Sequence, residues 1–355
     1  MSWQQPRTWR FALTRHNSAL RRSRIGLRLS AALIKLAVCG LTLCLGHAMA
    51  QASDWTRMPV TTKPQSRSGA MMAYDSVRGA SVMFGGIIAS SQGPANLADT
   101  WIWDGSTWTE VFPVHHPSVR YNGAMFFHAP TGMIILFGGA AFSGGLILPL
   151  GDTWQWDGTD WTQLSPANTP SKRYDCVAAY DSSHGQGVLF GGFGINFLAD
   201  TWTWDGADWN LLSTANAPEG RILPAFAFDS LHSQVVLFGG RGAEGYLNDT
   251  WLWDGSSWTQ SSPPTVPPHR YAASMAFDSA LGYSLMFGGF NEAGGQDDTW
   301  TWDGAGWTMQ SPANIPTARF QFMMDYDALH QQVVMFGGTY GSRLGDIYLS
   351  DTWVW

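Results

Sequence analysis

One tripeptide recurs at a period that leaves this chain few folds. Phe-Gly-Gly appears six times, with its first glycine at Gly85, Gly138, Gly191, Gly239, Gly288 and Gly337, in steps of 53, 53, 48, 49 and 49 residues. An arginine stands 18 residues before each: Arg67, Arg120, Arg173, Arg221, Arg270 and Arg319. A proline precedes each arginine by three residues, from Pro64 to Pro316. After each glycine pair comes Asp-Thr-Trp-x-Trp, as at Asp99–Trp103, and in five units Asp-Gly and a further Trp follow. All 18 tryptophans after residue 50 obey this frame, three per unit. A repeat of this length is one supersecondary unit whose apolar faces are buried by stacking on its neighbours.

Each unit reads as four short strands. In the first unit these are Gly69–Tyr74, Ala80–Phe84, Thr100–Trp103 and a strand around Trp108, reached through an Asp104-Gly105 turn. The second is a continuous apolar run, as expected of a strand covered on both faces. Trp101 and Trp103 are two apart and share one face of the third. Forty glycines and 13% charged residues also suit tightly turned β-structure better than a helical bundle.

Paired glycines after an apolar strand, with tryptophans downstream at this spacing, resemble kelch repeats over residues 54–355. The nearest likeness is to secreted bacterial kelch proteins similar to the central propeller of galactose oxidase. The Trp-Asp dipeptide is shared with WD40 repeats, but Gly-His is missing. The resemblance implies an all-β, six-bladed kelch-type β-propeller with four antiparallel strands per blade. The repeats run approximately 59–111, 112–164, 165–212, 213–261, 262–310 and 311–355. The sixth unit stops at Trp353-Val354-Trp355, before its own fourth strand, whereas Trp55 precedes Arg67 by the same 12 residues as every fourth-strand Trp precedes its arginine. Residues 54–58 are therefore expected to complete the last blade and remove the open sheet edge.

Residues 1–50 read as a signal peptide: arginines from Arg7 to Arg28, an apolar stretch from Leu36 to Gly46, and Ala48-Met49-Ala50 with cleavage after Ala50. Eleven apolar residues rise only ~16 Å as a helix, about half a bilayer core. Export to the periplasm or medium follows, with Sec and twin-arginine routes both open at Arg21-Arg22 and no membrane association after cleavage. The first fifty residues hold eight of the 20 basic residues and none of the 27 acidic ones, leaving the rest at net −15. A body that acidic is a poor partner for nucleic acid. Cys176 is the only cysteine after residue 50, at a position where other units carry Ala70, Gly123, Pro224, Ala273 and Phe322. It reads as a core residue rather than the thiol of a copper-radical oxidase, and no cofactor or metal is expected. A monomer is the expected state.

Spacings are constant from Trp to Arg and from Arg to Gly; only the stretch between Gly-Gly and Asp-Thr-Trp varies, with 12 residues in units 1, 2 and 6 and 7 or 8 in the others. Strand alternation puts these loops and the Pro-x-x-Arg segments on one face. Variable loops on a rigid scaffold are the usual seat of function. The candidate binding residues there are Phe142 and Leu148 (unit 2), Phe197 (unit 3), Arg241, Glu244 and Tyr246 (unit 4), Asn291 and Glu292 (unit 5), and Tyr340, Arg343, Asp346 and Tyr348 (unit 6). The six repeat arginines could form an anion-binding ring, or each could pair with the strand-three aspartate of its own unit, from Asp99 to Asp351. The same loops could instead fold on one another and cap the ring. Three functions stay open: a non-catalytic module binding a protein, peptide or glycan through this face; a carbohydrate-active enzyme such as the kelch-type sugar mutarotases, using Glu244, Glu292, Arg241 and Arg343; and a structural spacer.

Overall fold

The computed structural model describes residues 54–90, 93–342 and 345–355, without the side chains of 342–346. The signal peptide and cleavage site expected from the sequence lie outside the described residues. The rest is all β: six four-stranded antiparallel sheets form the blades of a propeller. Blade 1 runs Met71–Asp75, Ala80–Ser90, Gly93–Trp103 and Trp108–Val111, in sheet order from the channel outward. Blade 6 consists of Met323–Asp327, Gln332–Phe336, Thr352–Val354 and, as its outermost strand, Thr56–Arg57 from the start of the domain. Thr56 pairs with Val354 and Arg57 with Trp353, so the ring is closed by the first and last strands of the domain.

The repeated motif residues supply the joints between blades. The fourth-strand indoles of Trp108, Trp161, Trp209, Trp258, Trp307 and Trp55 each donate Nε1–H to the Asp-Thr-Trp threonine of the preceding blade, at 2.9–3.0 Å. Trp55 reaches Thr299 of blade 5 and Trp108 reaches Thr352 of blade 6, which repeats the same joint across the closure. Apolar side chains from facing blades fill the wedges. Met71, Ala73, Val82 and Phe84 of blade 1 pack with Met125, Phe127, Ile134 and Leu136 of blade 2.

Phe-Gly-Gly has a steric explanation. Gly239 has φ +64°, and a Cβ there would lie 2.7 Å from the Arg270 carbonyl oxygen of the next blade, so neither the backbone nor the space admits a side chain. The following Gly240 donates its N–H to that same carbonyl at 2.8 Å. The equivalent bond joins every consecutive pair of blades, ending with Gly338 N–H to Arg67 O.

Two features depart from the strand limits read in the sequence. The first strand begins at Met71, not Gly69, because Gly69 turns left-handed (φ +61°) and gives its N–H to Gln321 of blade 6. The variable segments are also not open loops. In blade 1 the second and third strands continue past a bulge between Phe84 and Gly86 and stay paired out to Ser90 and Gly93. In blades 2 and 6 the pairing resumes as separate hairpins, Ala140–Ser143 with Leu146–Pro149 and Thr339–Ser342 with Gly345–Tyr348. Positive-φ glycines bend the strands, and antiparallel pairing then satisfies the backbone beyond the bend.

Candidate functional site

The loop face is built around six buried guanidinium groups. Each repeat arginine is at most 1% exposed and holds its unit's aspartate in a bidentate pair, with N···O distances from 2.5 to 2.9 Å. Each arginine also donates to the carbonyl of the first glycine of its Phe-Gly-Gly, as from Arg173 to Gly191 at 3.1 Å. The aspartate's second oxygen accepts the indole N–H two residues on, as from Trp202 to Asp200. Burial alone would raise Asp152, Asp200, Asp249, Asp298 and Asp351, but the arginine hydrogen bonds and charge hold all five below the ordinary carboxylate value. With every guanidinium neutralised and covered, the arginines are girders of this face and present no free cation to an anionic ligand.

Directly inside them lies a closed circuit. The residues two past each arginine are Gly69, Asn122, Asp175, Leu223, Ala272 and Gln321, and all have left-handed backbones with φ from 46° to 61°. Each donates its N–H to the carbonyl of its counterpart in the preceding blade, at 2.7–3.1 Å, so six bonds encircle the axis. Only one of these six positions is glycine, the residue that takes this conformation without cost. Two of the polar side chains kept here despite that cost meet each other. Asn122 donates Nδ2–H to Asp175 Oδ1 at 2.6 Å. Burial pushes the Asp175 carboxyl up to about 7, against the opposing effect of that bond. Above it, burial pushes Tyr121 up to about 12, with Asp175, Tyr174 and Tyr348 adding to the rise. Sequence reasoning missed this group because strand position alone does not show that six residues one blade apart meet at an axis.

Around the mouth stands an arc of aromatic side chains. Tyr174 packs on Phe193, and Phe193 meets Phe197 edge-on at 5.3 Å. Tyr246 stacks on His269 and on Tyr271, and Phe290 joins Tyr271 to Phe320. Of the candidates read from the sequence, Tyr246 and Phe197 thus belong to this arc. Glu292 is exposed and accepts from His269 Nε2 at 2.6 Å. Asn291 is buried and structural: its amide donates to the His269 carbonyl and accepts from Ala293 N–H and Gln296 Nε2. Arg241 pairs its backbone with Ile222 and Tyr246, and its side chain is exposed, as is Glu244. Phe142 is fixed from the backbone, its N–H and C=O both bonded to the Asn96 amide, which joins the blade 1 and blade 2 hairpins. Leu148 and Tyr340 project to solvent, and Tyr348 is half-buried at the base of its hairpin. Arg343 lies outside the described residues; Asp346 is placed only by its backbone pairing to Gly341. Neither Glu244 nor Glu292 lines either of the two channel cavities.

Cys176 is buried among Phe126, Phe137 and Trp209, and burial pushes its thiol up to about 12, which makes it an inert core residue. On the opposite face, buried Asp75, Asp181, Asp229, Asp278 and Asp327 each accept turn N–H groups two and three residues on. That is turn chemistry, and there His184, His232 and His330 bond Nδ1 to these carboxylates at 2.7 Å.

No family model matches this chain, and a search of curated proteins finds none significantly similar to it. Its class is accordingly defined by the fold alone: a six-bladed β-propeller closed by its own N-terminal strand.

Proposed function

We propose that this is an exported, non-catalytic propeller of kelch type that binds a polypeptide through the face bearing the strand two-to-three hairpins. The observation that carries the reading is the exposed apolar ridge on those hairpins. Leu146, Ile147 and Leu148 of the blade 2 hairpin are 64%, 45% and 45% exposed, and Ile347 of the blade 6 hairpin is 59% exposed. A soluble domain that leaves consecutive aliphatic side chains in water on a raised hairpin has a surface built to be covered. The neutralised arginines and the aromatic arc behind the ridge favour an apolar or aromatic segment over an acidic one. The mutarotase reading finds no support, because its glutamates stand apart from the cavities and one is engaged by His269. A glycan ligand is separated from a polypeptide by experiment. Residues 51–355, immobilised, should retain a protein from the exported fraction, and Ile147→Asp with Leu148→Asp should release it while leaving the thermal transition in place. Retention unchanged by that double substitution, or binding confined to a glycan array, would overturn the proposal.

A further inference from the structure

The channel widens on the side away from the hairpins. Between the two halves lies a girdle of Met72, Met125, Ala178, Phe226, Met275 and Met324, shared by both cavities. Below it is a chamber of about 410 Å3, against about 170 Å3 above, and only the lower one falls in the range of small-molecule sites, ~300–1,000 Å3. Six aromatic residues at one register, seven past each arginine, line the lower chamber: Tyr74, Phe127, Tyr180, Phe228, Phe277 and Tyr326. Exposed Ser182, Ser230, Ser279 and Ala328 rim it, so it opens to solvent on the face of uniform turns.

The repeat supplies its own control for what is special here. The residue before each aromatic is Ala73, Phe126, Ala179, Ala227, Ala276 and Asp325. Four alanines make room for the neighbouring ring; blade 6 alone places a carboxylate in the wall. Asp325 accepts the Tyr74 N–H at 2.6 Å and the Tyr326 N–H at 2.8 Å, and it takes part in no salt bridge among the described residues. The arginine beside it is committed elsewhere, Arg78 to Asp75, and the turn histidines His184, His232 and His330 are bonded to Asp181, Asp229 and Asp327. An aromatic-walled cavity with one carboxylate lacking a counter-charge, in a domain of net −15, has the composition that holds a cation with an apolar shell.

We propose that the lower chamber binds an organic cation of the quaternary ammonium class, with the aromatic rings contacting its alkyl shell and Asp325 as its counter-charge. Aromatic rings attract a cation electrostatically, the methyl groups fill space that a metal ion or free ammonium would leave to water, and the half-buried carboxylate fixes the sign of the charge. This site is independent of the hairpin ridge and opens on the opposite face.

The test uses choline and its uncharged isostere, in which the quaternary nitrogen is replaced by carbon, titrated into residues 51–355 at pH 8 by calorimetry and by proton NMR. Burial holds the Asp325 carboxyl up to about 6, so it is ionised at that pH. Choline should bind saturably, one per chain, at least ten-fold tighter than the isostere, with its methyl resonance shifted upfield by the surrounding rings. Asp325→Asn should cost choline five-fold or more and leave the isostere unchanged. Phe277→Leu should weaken choline in a chain whose Asp325 is intact, which keeps the test alive if the aspartate variant unfolds. Leu211→Ala, exposed on the outermost strand of blade 3, should change nothing. Equal affinity for choline and isostere would make the chamber a simple apolar void, and absence of saturable choline binding would overturn the proposal outright.

Discussion

Substituting Asp298 by Asn tests the arginine girders most directly. Arg270 is 1% exposed and Asp298 19%, their two contacts are 2.5 and 2.7 Å, and Asp298 also accepts the Trp300 indole N–H. Asparagine keeps the shape but removes the charge, and it turns an NH2 toward groups that only donate. Removing one partner of a buried pair leaves the other uncompensated, at a cost of ~3–5 kcal/mol. Arg270 retains its bonds to the Gly288 and Pro268 carbonyls, which places the expected loss at the lower end, about 3 kcal/mol. That is a large share of the ~5–15 kcal/mol stability of a typical domain. Denaturant unfolding at pH 7, followed by the fluorescence of tryptophans at every blade joint, reads it. The pH dependence has a definite sign. The folded-state pKa of Asp298 is depressed below 3.8, so the pair's contribution is complete above that value and is lost as pH falls through the folded pKa. The difference between wild type and Asp298→Asn should therefore be constant from pH 5 to 7 and shrink in stronger acid. Arg270→Met with Asp298→Leu, which removes both charges, should cost less than Asp298→Asn alone. A loss under ~1 kcal/mol for the single variant, or a gap that persists unchanged into strong acid, would refute the girder argument.

Asp175→Asn should stabilise the protein at pH 8, by on the order of 1–3 kcal/mol, because the raised folded pKa of about 7 makes wild-type stability fall as pH climbs from about 4 to 7; a variant with an unchanged slope in that window would contradict the burial argument. Gly239→Ala should cost ~3 kcal/mol or more, combining a left-handed backbone with a Cβ against the Arg270 carbonyl, and chemical denaturation measures it. Trp258→Phe removes the bond to Thr201 at one blade joint and should lower stability by ~1–2 kcal/mol, whereas the exposed Ile147→Asp should stay within ~0.5 kcal/mol. Cys176 should resist thiol reagents until denaturant unfolds the domain, and rapid labelling of native protein would show that its burial is wrong.

The amino-acid order determined everything that repeats along the chain. The six Phe-Gly-Gly marks counted the blades, the 12-residue interval from Trp55 to Arg67 showed which strand closes the ring, and the glycine-to-tryptophan spacing located the variable segment. These are regularities of short sequence range, written by local strand and turn geometry. Tertiary structure alone decided which side chains of different blades meet around the axis. The left-handed circuit from Gly69 to Gln321, the Asn122–Asp175 contact and the six-ring chamber with Asp325 join residues about fifty positions apart, or at opposite ends of the domain. Their meeting depends on ring closure, which brings six equivalent first strands around one axis and turns a difference of a single side chain between repeats into a site.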